Sequence, residues 1–75
     1  MKKYNDIDND SGVNSFEIGV DYIDVTFKDG SIYRYTHASA GKDNIERMKK
    51  LAESGDGLNA FINSNVRKKY ARKIR

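Results

Sequence analysis

The chain has 75 residues, of which 14 are Lys or Arg and 11 are Asp or Glu, so its formal net charge is +3. A chain of this length forms one domain and buries only about 60% of the surface that its unfolded form exposes, so its core is thin. The sequence has no Cys, which excludes disulfides, thiolate metal sites and a cysteine nucleophile. We find neither a run of about 18 apolar residues nor an apolar stretch after Met1, so we expect a cytoplasmic protein without a membrane span.

Charge is divided unequally between the two halves of the sequence. Residues 1–31 carry three basic and seven acidic groups, a net charge of −4, whereas residues 32–75 carry 11 basic and four acidic groups, a net charge of +7. A basic terminal run is typical of an arm that binds nucleic acid, but it is also typical of a solvated helix end, where cations suit the helix dipole. The terminal cations are Arg67, Lys68, Lys69, Arg72, Lys73 and Arg75.

Residues 1–12 are polar and acidic, which predicts a flexible N-terminal segment. Its carboxylates, with Glu17, fall at four of the ligand positions of a calcium-binding loop. Against this interpretation, Ser11 stands where the loop needs Gly, and too few residues precede the first carboxylate for an entering helix. We therefore predict no metal site and no cofactor, although a cation site remains the alternative for this set: Asp6, Asp8, Asp10 and Glu17.

Apolar residues next alternate with a period of two, which predicts three strands. The Asp29-Gly30 pair is a strong signal for a hairpin between the second and third of them. The alternating residues are Phe16, Ile18 and Val20 in the first strand and Ile23, Val25 and Phe27 in the second, and the third strand covers residues 32–36.

The register of this hairpin decides which way Tyr33 and Tyr35 point. A two-residue turn would place both rings on the face away from the other apolar residues, where exposed aromatics can stack on unpaired bases. A three-residue turn would direct both rings into the core and place Asp24 opposite Arg34, a favourable cross-strand pair. We favour the three-residue turn, because it also avoids burying Arg34 beside Val25.

From Asp43 onward the apolar spacing becomes helical, with Asp43 as the expected N-cap of a first helix and Gly55 at its end. A second helix begins near Gly57. Beyond Val66 the cations occupy all sides, so the last turns should project past the core or fray. The sequence therefore predicts an α+β fold in which a three-stranded antiparallel sheet is followed by two helices packed on one face.

The central residues resemble a known family, the KTSC domain, a small bacterial module also found at the C-terminus of some lysyl-tRNA synthetases. Its hallmark is a Tyr-x-Tyr strand, here Tyr33-Arg34-Tyr35. The resemblance implies that residues 13–70 form the folded domain, between the N-terminal segment 1–12 and a basic tail over 71–75. It also implies RNA binding, which has been suggested for the family. The motif residues are Val25, Phe27, Gly30, Tyr33, Tyr35, Phe61, Asn63, Val66, Arg67 and Tyr70.

The residues present leave two hypotheses for function. We expect no enzyme, because the only imidazole is His37, interpreted as an exposed loop residue, and no nucleophile elbow or phosphate-binding loop is present. One hypothesis is a weak, sequence-nonspecific RNA-binding module, and the other is a protein-interaction or self-associating module without a role for nucleic acid. The sequence indicates no small-molecule substrate. The residues predicted to bind RNA are Arg34, Arg67, Lys68, Lys69, Arg72 and Lys73.

Overall fold

The computed structural model describes residues 1–5 and 12–75, and in it the chain forms an α+β fold with a five-stranded antiparallel sheet. The strands lie side by side in chain order, so each of the three inner strands pairs with the strand that precedes it and the strand that follows it. Their bounds are Lys2–Lys3 (β1), Val13–Ile18 (β2), Tyr22–Phe27 (β3), Ile32–Thr36 (β4) and Arg72–Lys73 (β5).

The predicted number of three strands was wrong, because a short strand is added at each edge of the sheet. β1 pairs with β2, with Lys2 opposite Phe16, and β5 pairs with β4, with Lys73 opposite Tyr33. Without these additions, β2 and β4 would each present a row of unpaired backbone N–H and C=O groups. One strand therefore comes from the N-terminal segment that was expected to be flexible. The other comes from the segment that was expected to be a basic tail.

The three-residue turn between β3 and β4 is confirmed. Val25 lies opposite Tyr33 and Asp24 lies opposite Arg34. Gly30 has a φ of 92°, a left-handed conformation that glycine adopts without strain. The turn therefore fixes which side chains of β4 face the core.

The helices follow β4, and the first of them begins earlier than the sequence predicted. Helix α1 covers His37–Ala40, and helix α2 covers Lys42–Ser54 after Gly41, so Asp43 is not an N-cap. The capping box lies instead at the start of α1, where the Thr36 hydroxyl accepts from the Ser39 N–H at 3.0 Å. Helix α2 contacts β3 and β4 and ends at Gly55 in the left-handed conformation, as predicted.

The second predicted helix is short, and its basic extension does not exist. Helix α3 covers Leu58–Phe61 and continues as a π-helical segment over Ile62–Val66. The chain then leaves the helix axis, because residues that are charged on all sides offer no apolar stripe to hold a helix on the core. The Ala71 N–H donates to the Arg34 carbonyl at 2.6 Å, which starts the pairing of β5 with β4.

The core lies between the inner face of the sheet and the helices. Buried residues of β2, β3 and β4 meet buried residues of α2, α3 and the π-helical segment in one cluster. This cluster includes Phe16, Ile23, Val25, Tyr35, Ile45, Met48, Leu58, Ile62 and Val66.

Candidate nucleic-acid interface

The Arg34 side chain lies on the outer face of the sheet and forms an ion pair with Asp24. Its Nε donates to Asp24 Oδ1 at 2.7 Å and its Nη2 donates to Asp24 Oδ2 at 2.9 Å, a bidentate arrangement. The Tyr22 ring lies 4.2 Å from the guanidinium carbon, close enough for a cation–π contact. The hydrogen bond to Asp24 raises the pKa of Arg34 above its ordinary value. The guanidinium therefore holds the sheet together, and it is the member of the predicted set with the fewest donors left for a phosphate.

The two tyrosines of the central strand differ in exposure. Tyr35 is buried among the core residues, and this burial raises the pKa of its hydroxyl to about 12. Tyr33 is half-buried, since β4 carries it toward the rim of the core. Both rings were predicted to point into the core. Tyr35 is fully buried there, whereas Tyr33 is only half-buried.

Aromatic rings form a cluster around Tyr33. The Tyr70 ring lies edge-to-face with it at a centroid distance of 4.7 Å, and the Phe27 ring does so at 5.8 Å. Tyr70 remains 40% exposed. The Lys73 ammonium lies 5.7 Å from the centroid of the Tyr33 ring, within the range of a cation–π contact.

We call residues 67–75 the C-terminal basic segment. All six of its Lys and Arg side chains are exposed. Among the described residues, none of these side chains forms an ion pair with a carboxylate. The segment therefore presents a concentration of positive charge, without an ion pair to any described carboxylate, beside an aromatic rim.

The strand geometry divides these cations between two directions. Arg72 lies opposite Arg34 on the outer face of the sheet, whereas Lys73 lies opposite Tyr33 on the other face. Arg67 follows the π-helical segment directly and lies near Phe27 and Tyr33. The structure thus brings Arg67 and Lys73 to the aromatic cluster but not Arg34 or Arg72.

His37 is not a loop residue, because it opens α1 and its side chain is half-buried. Its Nε2 lies 3.2 Å from Glu46 Oε2, and the Lys49 ammonium lies 2.9 Å from the same oxygen. These contacts, Lys49 first, lower the pKa of Glu46. Lys49 also donates to the Val20 carbonyl at 3.1 Å. The arrangement ties α1, α2 and the turn between β2 and β3 together, which gives it a structural role.

The calcium-loop hypothesis falls largely on residues that the structure does not describe. Asp6, Asp8 and Asp10 lie outside the described residues, whereas Glu17 is exposed on β2. Within residues 1–5 and 12–75, no three carboxylate or imidazole side chains form a group that could hold a metal ion.

Comparisons with known proteins give no relative for this chain: no family model, no curated protein and no solved structure matches it. In the part of the chain that the structure describes, no helix is long and apolar enough to cross a membrane.

The position of Tyr70 beside Tyr33 could not be predicted from the sequence. A helical repeat places Tyr70 on the same side as Val66, but the helix ends there and the chain turns toward the sheet edge. The only signal for this change was the loss of an apolar stripe after Val66. That signal marks the end of a helix but does not indicate the direction that the chain takes next.

Proposed function

We propose that the protein is a non-catalytic module that binds RNA weakly and with little sequence preference through the C-terminal basic segment. The observation that supports this proposal most strongly is the six exposed cations that have no carboxylate partner among the described residues. Free cations of this kind attract phosphates, and their binding releases counterions, so affinity should fall as salt rises.

The geometry favours weak binding. Because Arg72 and Lys73 point to opposite faces of the sheet, one short strand of RNA cannot contact all six cations at once. Three or four phosphate contacts would give a salt slope of about −2 to −3, since each contact on a single strand contributes roughly 0.7.

The expected lack of sequence preference has a physical reason. Contacts with phosphates fix the position of a nucleic acid but carry no information on its bases. Arg34 is the residue best suited by type to recognise a base edge, but its guanidinium is held in two hydrogen bonds by Asp24.

The resemblance to the KTSC domain supports the same proposal, because some members of that family belong to synthetases that act on tRNA. Membership of this bacterial family is itself a proposal, carried by the Tyr33-Arg34-Tyr35 strand and the residues that surround it in sequence.

The alternative function is self-association or docking on a protein through the sheet. Two features disfavour pairing through the sheet edges. Each edge strand is only two residues long, and each is basic, with Lys2–Lys3 at one edge and Arg72–Lys73 at the other. Short, positively charged edges are the features by which proteins avoid pairing with another sheet.

A titration of fluorescently labelled hexauridylate at about 0.05 M and 0.2 M salt tests the proposal. Wild-type protein should bind at low salt and lose affinity at high salt. A triple variant carrying Arg67→Gln, Lys68→Gln and Lys69→Gln should show a shallower salt slope, by roughly 0.7 for each phosphate that the variant no longer neutralises.

The matched control is Lys42→Gln, Arg47→Gln and Lys50→Gln, which removes the same charge from exposed positions of α2. Its salt slope should equal that of the wild type. Absence of binding at low salt would contradict the proposal and favour the protein-interaction alternative. An equal loss of slope in both triple variants would show that net charge, rather than the C-terminal basic segment, attracts the RNA.

A further inference from the structure

A shallow groove of about 560 Å³ opens beside the turn between β3 and β4. Ligand sites in proteins commonly have volumes of roughly 300–1,000 Å³. Its walls combine two aromatic rings with three charged side chains and an amide. These residues are Phe27, Lys28, Asp29, Tyr33, Asn63 and Arg67.

The aromatic part of the groove is accessible. Phe27 and Tyr33 meet edge-to-face, with their ring planes 77° apart, and both side chains are half-buried. Half-buried rings at the rim of a core keep part of their surface for a ligand, and every nucleobase has a flat face that can stack on such a ring.

The charge around the rings suits a ligand that carries phosphate. Arg67 lines the groove, and Lys73 lies above the Tyr33 ring. Asp29 is the acid in the wall, but its Oδ1 accepts from the Ser31 hydroxyl at 2.6 Å and from the Ser31 N–H at 2.9 Å. These hydrogen bonds, together with the charge of Lys73, stabilise the carboxylate and lower its pKa. Among the described residues around the rings, the positive groups therefore outnumber the negative ones.

The π-helical segment positions two of the groove residues. A π-helix is rare, and it is frequently found at functional sites. Here it keeps Ile62 and Val66 buried while Asn63 and Arg67, also four residues apart, both line the groove. The exposed Asn63 amide provides a donor and an acceptor, which are the groups needed to contact the edge of a base.

We propose that this groove holds one unpaired base of a single-stranded RNA against Phe27 and Tyr33, with Asn63 at the edge of the base and Arg67 at the adjoining phosphate. The inference rests on the proposed function, because the C-terminal basic segment would bring the RNA to the groove. It adds a contact with a base to a surface otherwise expected to contact phosphates alone.

The test compares hexauridylate with an abasic hexamer that has the same ribose–phosphate backbone. A stacked base contributes about 5- to 150-fold in affinity, so the wild type should bind hexauridylate at least about fivefold more tightly. Phe27→Leu should reduce this preference to near unity and leave the salt slope unchanged. The control Phe61→Leu, which truncates another half-buried ring, should retain the preference. Asn63→Ala, at an exposed position, should weaken only hexauridylate binding.

A measurement on the wild type complements the variants, in case Phe27→Leu disturbs the fold. Ring-proton resonances of Phe27 and Tyr33 should shift on addition of hexauridylate and stay in place with the abasic hexamer. Equal affinity for both hexamers would overturn the base-binding inference and leave the proposed function intact. Failure of both hexamers to bind at low salt would overturn the proposed function and this inference together.

Discussion

The two edge strands of the sheet are alike in length and composition but are attached to the rest of the molecule in different ways. Lys2–Lys3 and Arg72–Lys73 are both two-residue strands made only of basic residues. Each is next in sequence, or nearly so, to a tyrosine. The two edges differ in the environments of these tyrosines, Tyr4 and Tyr70.

The N-terminal edge is anchored in the core. Tyr4 is only 2% exposed, and the Leu58 N–H donates to its hydroxyl at 3.2 Å. The first N–H groups of a helix have no partner within the helix, and Gly57 has no side chain to cap α3. The Tyr4 hydroxyl therefore acts as a distant cap. The adjacent Asn5 packs so closely on Gly55 that a Cβ added there would lie 2.6 Å from the Asn5 Cβ.

The C-terminal edge is attached at the surface. Tyr70 is 40% exposed and contacts Tyr33 at the rim of the core. The backbone hydrogen bonds of β5 to β4 hold the strand, while its side chains stay in solvent. Both edge strands therefore expose their charged side chains, and they differ in how deeply the neighbouring tyrosine anchors the strand.

Truncation of the two tyrosines should give the largest difference in stability between the two edges. Tyr4→Ala should lower the free energy of unfolding by about 3–5 kcal/mol, because it opens a cavity and removes the cap of α3. Tyr70→Ala should cost about 1 kcal/mol, the usual value of an aromatic pair near the surface. Urea denaturation followed by circular dichroism measures both values.

A milder variant keeps this test informative if Tyr4→Ala does not fold. Tyr4→Phe retains the ring and should cost about 1–2 kcal/mol, because the Leu58 N–H loses its acceptor in a buried site. Tyr70→Phe serves as its control and should change stability little. Equal costs for the two tyrosines would show that both edges are anchored alike.

A charge within the sheet should behave differently from the charges at its edge. Arg34→Met should lower the free energy of unfolding by about 2–3 kcal/mol, because Asp24 would remain buried without its partner. Asp24 is 3% exposed, whereas the Arg34 side chain is 33% exposed, so the cost should lie below that of a fully buried pair.

The double variant with Asp24→Asn should recover much of this loss, since no unpaired charge would remain. Denaturant titrations of the two single variants and the double variant give the coupling energy. The salt slope of hexauridylate binding should be the same in Arg34→Met as in the wild type. A shallower slope would return Arg34 to the RNA-contacting surface.

The central part of the fold could be predicted from the sequence because the information there is local. The turn over residues 28–30, the alternation of apolar side chains and the opposite charges of Asp24 and Arg34 all specify the same hairpin register. The structure has this register.

The edge strands could not be predicted, because two basic residues carry no hydrophobic periodicity. Lys2 pairs with Phe16 and Lys73 with Tyr33, and these pairings depend on where the adjacent tyrosines bind. For the same reason, the cations of the candidate interface could be predicted from the sequence, but the directions of their side chains could not. Nor could the sequence show that the π-helical segment places Asn63 in the groove that Phe27 also lines.

Neutralising the cations of each edge separately should give the smallest effect, a change in the salt slope of RNA binding. It compares the two edges directly. Arg72→Gln with Lys73→Gln should make the salt slope shallower by about 0.7 if one of the two side chains binds phosphate, and by about 1.4 if both do. Lys2→Gln with Lys3→Gln removes the same charge and should leave the slope unchanged.

The reason for this difference is distance. Four strand spacings of about 4.8 Å separate the two edges, so they lie roughly 19 Å apart. This is about two Debye lengths of roughly 10 Å at 0.1 M salt, the middle of the titrated range, so charge at the N-terminal edge should be largely screened from RNA bound at the C-terminal edge. If the Lys2 and Lys3 variant reduced the slope as much as the Arg72 and Lys73 variant, the RNA would cross the outer face of the sheet, and the division between a structural edge and a binding edge would be wrong.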